Sequence, residues 1–101
     1  MKTCITCGMP LENAEDIGME TAEGAVCVHD SENGAIKEPE QIFEGGVQWY
    51  MHAVADCSRE LAARLTTKNM NSLPYWQKHP ATCLGGPEAT DDEYQVAMAK
   101  L

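Results

Sequence analysis

Large aromatic side chains and positive charge are both scarce in this sequence. Aromatics make up 6% of it, with a single Phe. Few residues can fill a large core, so a chain of 101 residues is expected to draw on some source of stability beyond apolar burial. Lys and Arg number 7 against 16 Asp and Glu, which leaves a formal charge of −9. Nucleic-acid binding rests on a basic footprint that is missing here, and adsorption to anionic lipid is disfavoured for the same reason. Long apolar runs are lacking too. No stretch approaches the roughly 20 residues of a membrane span, and no apolar run of leader length follows Met1-Lys2-Thr3-Cys4. The expectation is a cytoplasmic protein with no membrane partner. There is no G-x-S-x-G turn, phosphate loop or H-E-x-x-H segment, so no reaction suggests itself.

What the sequence does have is cysteine in a pattern. There are five, an odd number, and Cys4 and Cys7 form C-x-x-C. In a reducing compartment this points to metal or redox chemistry rather than a disulfide framework. A thioredoxin-type role needs a strand ahead of the motif and a helix after it, and neither is indicated here. Cys27 follows Cys7 after nineteen residues. Zinc ribbons run C-x2-C, then about 15–20 residues, then C-x2-C. The sequence fits that template at every position but the last, where Asp30 stands in place of the final thiol.

Three sulfurs need a fourth donor to complete a tetrahedron around zinc. Asp30 occupies the right position, and a carboxylate oxygen binds zinc at about 2.0–2.2 Å. His29 is the better donor by chemistry, because imidazole is the commoner structural ligand, and it leaves the site less negative. His29 is the preferred fourth ligand, with Asp30 the alternative and a water or another residue the third choice. The candidate metal ligands are therefore Cys4, Cys7, Cys27, His29 and Asp30, around one structural Zn2+, with iron the less favoured cation.

The run Cys4-Ile5-Thr6-Cys7-Gly8-Met9-Pro10-Leu11, with Glu15-Asp16-Ile17-Gly18 and the Cys27-to-Gly34 turn, resembles a family of small bacterial and archaeal zinc ribbon domain proteins. Its typical pattern is C-x-S-C-G-M-P, then C-x-x-C with an aromatic residue, then N-G. Cys27 and Asn33-Gly34 match the second part; Asp30 and Ser31 depart from it. The resemblance is good over residues 4–43 and loose in the helices beyond. It implies metal binding and brings no reaction with it.

The expected fold is small and α+β. Residues 1–43 form a zinc ribbon of a short β-hairpin and two metal-binding turns, and residues 44–101 form a helical extension packed on it. The hairpin pairs residues 16–21 with 25–28. Asn33-Gly34 marks a turn, and Pro39 opens a single helical turn through Ile42 and Phe43. After a break at Gly45-Gly46, Tyr50, Val54, Cys57, Leu61 and Leu65 place one apolar stripe on a long helix from about residue 47 to 68. Leu73-Pro74-Tyr75-Trp76 carries an aromatic anchor. Thr90 and Glu93 form a capping box at the start of a short last helix, whose Tyr94, Ala97, Met98 and Leu101 share a face.

Cys57, Cys83, His52 and His79 are candidates for a second metal or redox site. Cys57 sits on the apolar stripe and is better read as core, and His79 as a solvated loop residue. The expected function is a structural zinc-binding module that meets another protein or pairs as a homodimer. The alternative is a metal-site enzyme or a rubredoxin-like iron redox protein, distinguished by an open coordination position or by colour.

Overall fold

Three two-stranded antiparallel hairpins precede four helices in the computed structural model, which describes residues 2–101. β1 (Lys2–Thr3) pairs with β2 (Pro10–Leu11), β3 (Ile17–Thr21) with β4 (Gly24–Cys27), and β5 (Ser31–Glu32) with β6 (Ala35–Ile36). The middle hairpin is the longest, and its register shifts between Ile17 and Met19. Asn33 and Gly34 both take positive φ, +53° and +77°, the conformation a two-residue turn needs to match the twist of its strands.

Pro39 begins a helix, as its fixed φ and missing N–H favour, but the helix does not stop after one turn. α1 runs Pro39–Ala53, straight through Gly45 and Gly46. The expected break, and the expected junction at residues 43–44, fall inside it. Gly46 has a packing reason to be glycine: a Cβ there would lie 2.7 Å from Thr66 Cγ2 on the next helix. The absent side chain lets the two helices touch.

The expected long helix is two helices. α1 ends at Ala53, and α2 spans Arg59–Asn71. Between them Asp56 adopts φ +58°, which turns the chain, and the Ser58 hydroxyl accepts from Leu61 N–H to start α2. Folding the apolar stripe back on itself puts Val47, Tyr50 and Val54 against Ala62 and Leu65 in one core. A continuous helix would have left half of that stripe in water.

α3 (Pro74–Lys78) and α4 (Asp91–Ala99) close the helical half. Trp76 is buried with Ile42, Met70 and Leu84. Thr90 and Glu93 form the expected capping box. Tyr94, Ala97 and Met98 dock on the α1–α2 core, whereas Leu101 is exposed. Salt bridges from Arg64 to Glu93 and from Lys68 to Asp91 tie α4 to α2. No helix is long and apolar enough to cross a membrane among the described residues.

Candidate metal centre

Two turns bring four donors to one place. The first is Cys4-Ile5-Thr6-Cys7-Gly8. Gly8 N–H donates to the Cys4 carbonyl at 2.8 Å, and Cys4 N–H donates to the Met9 carbonyl at 2.9 Å. Gly8 closes the turn at φ +82°, a region that costs other residues strain. The second turn follows Cys27, the last residue of β4. Asp30 N–H donates back to the Cys27 carbonyl at 3.2 Å, and the Ser31 hydroxyl donates to the same oxygen at 3.0 Å. Ile5 N–H donates to the Ala25 carbonyl at 3.0 Å, which docks the first turn on β4.

The donor atoms of Cys4, Cys7, Cys27 and Asp30 all lie within 4.8 Å of one another. The Cys7 and Cys27 sulfurs are 3.7 Å apart, and Cys4 Sγ is 3.6 Å from Asp30 Oδ2. Metal bonds of about 2.3 Å to sulfur and about 2.05 Å to oxygen give a tetrahedron with edges of about 3.8 Å (S–S) and about 3.6 Å (S–O). The Cys7–Cys27 and Cys4–Asp30 separations match these edges. Cys4, Cys27 and Asp30 are buried and Cys7 is half-buried. A carboxylate among three sulfurs, away from water, is costly unless a cation is shared between them. This donor set can coordinate a divalent metal.

His29 is exposed and lies outside the group of four. The reason is the turn itself. The Asp30-to-Cys27 hydrogen bond folds the chain so that residue 30, not residue 29, comes back beside the sulfurs.

Neighbouring groups shape the protonation of the cluster. Hydrogen bonds with Cys27 and then Cys7 hold the Cys4 thiol well below its ordinary value. Bonding to Cys27 and then Cys4 pushes Cys7 up, and bonding to Cys4 pushes Cys27 up to about 11. Burial raises Asp30. Four acidic groups in this space share protons among themselves, and a cation would displace those protons on binding.

Three residues not singled out as ligands support the first turn. Thr6 is buried, and its hydroxyl donates to Asp30 Oδ2 at 2.7 Å. Trp76 Nε1 donates to the Thr6 carbonyl at 2.9 Å, and Asn69 Nδ2 donates to the Cys7 carbonyl at 3.0 Å. The only sequence signal for Thr6 was the hydroxyl residue at its place in the C-x-S-C pattern. The Asn69 and Trp76 links cross 62 and 70 residues, and nothing local in the sequence marks them.

Cys57, Cys83, His52 and His79 join no metal-holding group among the described residues. Cys57 packs on the α1–α2 core, and Cys83 packs beside Trp76 and Leu84. His52 is exposed. His79 is not merely solvated: its Nε2 lies 2.9 Å from Glu23 Oε1, and its ring lies over Tyr75.

No curated protein and no solved structure matches the chain. The family model described as "Putative zinc ribbon domain" matches residues 3–77. That span begins in β1, takes in all four clustered donors and both helices of the α1–α2 pair, and ends in α3 beside Trp76. It covers well over half of the sequence, and the chain belongs to this zinc ribbon family.

Proposed function

We propose that the centre holds one Zn2+ through Cys4, Cys7, Cys27 and Asp30, and that the bound ion holds the ribbon in its fold rather than acting on a substrate. The supporting observation is the largely buried set of four protein donors, within 4.8 Å of one another, with the Cys7–Cys27 and Cys4–Asp30 separations those of a tetrahedral zinc site. Structural zinc sites are closed tetrahedra, whereas catalytic ones keep a position for water. In this reading the Asp30 carboxylate takes the position that a catalytic site leaves to water. When bound, the ion supplies the cross-link between the two turns that a short ribbon needs.

In this reading the protein is a binding module. Trp49 on α1 is 52% exposed, and an exposed indole is a common anchor at protein interfaces. A protein partner or a second copy of the chain would seat against that face.

The test is elemental analysis of protein purified without chelators, with a visible spectrum and sedimentation beside it. One colourless zinc per chain supports the reading. Stoichiometric iron with thiolate absorption, or no metal at all, overturns it. Sedimentation of wild type against Trp49→Ala decides whether a second copy uses the α1 face.

A further inference from the structure

We infer that Thr6 is a positioning residue for the metal centre: its hydroxyl fixes the Asp30 carboxylate so that this oxygen ligand can stand in for a fourth thiolate. The inference rests on the reading of Asp30 as a ligand, and goes beyond it to what makes such a ligand work here.

A carboxylate is harder to place than a thiolate. It has two oxygens and can meet a metal through one or both. Asp30 is buried, and by chemistry its carboxylate is a poorer structural donor than imidazole. Something must select one oxygen and one direction. The contacts to its carboxylate come from the Thr6 hydroxyl at 2.7 Å and from the Cys4 thiol at 3.6 Å. The Thr6 hydroxyl is much the closer of the two and donates to Oδ2.

Thr6 is itself held firmly. Its side chain has no exposed surface. Its β-branch limits χ1, so the hydroxyl direction is set by packing. Its oxygen also lies 3.1 Å from Cys4 Sγ, so one group touches both the oxygen and a sulfur of the proposed set. Its carbonyl is held by Trp76. Hydrogen-bond partners of this kind orient metal ligands, and their loss costs about 10–100-fold in metal affinity.

The test uses Co2+ as the probe, titrated into the apo full chain. Ligand-field absorption reports coordination, and chelator competition gives affinity for Co2+ and Zn2+. Thr6→Val keeps the side-chain shape and removes the donor. The expected result is about 10–100-fold weaker binding and a shifted Co2+ spectrum, with Thr6→Ser recovering most of both. Thr6→Ala serves in the same role if valine disturbs the fold by circular dichroism. Thr67→Val, which removes a buried hydroxyl bonded to the Ala63 carbonyl, should leave both readouts unchanged. Asp30→Ala should also weaken binding, and adding Thr6→Val to it should cost little more. If Asp30→Ala matters and the Thr6 variants do not, or if the two losses add, the positioning role is wrong while the ligand stands. If Asp30→Ala changes neither affinity nor spectrum, the ligand assignment falls and this inference falls with it.

Discussion

The indole N–H of Trp76 donates to the carbonyl of Thr6 at 2.9 Å. It joins the helical half of the molecule to the turn that presents the first two thiols. Asn69 makes a parallel link to the Cys7 carbonyl. The metal turn is therefore packed against the helices through its own backbone.

Trp76 should report the state of the centre. In a Trp49→Phe background, which leaves Trp76 as the one indole, chelation is expected to red-shift and weaken its emission, and added zinc to restore it. Trp76→Phe leaves a buried carbonyl without its donor, which costs about 1–3 kcal/mol. Chemical denaturation of the zinc-loaded protein measures that loss.

Metal removal should act unevenly. Zinc binding in small finger peptides supplies about 10–16 kcal/mol of folding free energy, and the apolar cluster of the hairpins is built around Cys4 and Cys27 themselves, with Leu11, Ala25 and Val26. Amide exchange after chelation is expected to show lost protection across residues 4–37. α1 and α2, which share a core with α4, should keep part of theirs. Unchanged exchange in the ribbon would falsify a structural role for the ion.

Neighbouring glycines in α1 should respond in opposite directions. A Cβ at Gly45 meets nothing within 4 Å, whereas one at Gly46 would lie 2.7 Å from buried Thr66. Gly45→Ala is expected to stabilise by about 0.5–1 kcal/mol through helix propensity. Gly46→Ala is expected to destabilise by about 1–3 kcal/mol through crowding of α2. Thermal denaturation of both variants, with metal held constant, checks the pair.

Acid should loosen the helical half below the ordinary glutamate range. The Arg64 guanidinium holds Glu93 down to about 2, and Arg59 does the same for Glu44. A carboxyl depressed in the folded state contributes stability at pH values above its unfolded value of 4.5, and that contribution is lost as pH falls toward about 2. Glu93→Gln should flatten this part of the pH–stability curve for metal-free protein. Both pairs face solvent in part, so salt should shrink the effect.

The parts of this molecule that depend on near neighbours were legible in the sequence. The C-x-x-C-G turn, the Asn33-Gly34 turn and the Thr90–Glu93 cap each rest on backbone conformations and hydrogen bonds within a few residues. The break between α1 and α2 was missed because the apolar spacing of Tyr50, Val54, Cys57, Leu61 and Leu65 stays in helical phase across it. Spacing alone cannot tell one long stripe from two faces folded together. Asp56 and the Ser58 cap were the signals that could have told them apart. Gly45-Gly46 misled in the other direction, since a glycine pair reads as a break until a partner helix explains Gly46. At the centre, donor chemistry favours His29 and position favours Asp30. The fold leaves His29 exposed and brings Asp30 beside the sulfurs, and the backbone hydrogen bond of the second turn that goes with this placement is not encoded in composition.

The seventy-residue reach from Thr6 to Trp76 has a consequence during synthesis. At about 5–20 residues per second, Trp76 leaves the ribosome roughly 4–14 s after Thr6 does. Through that interval the two turns can meet, but the first still lacks the indole N–H that holds its Thr6 carbonyl. If the centre takes a metal, a nascent chain would gain that cross-link before this long-range contact closes.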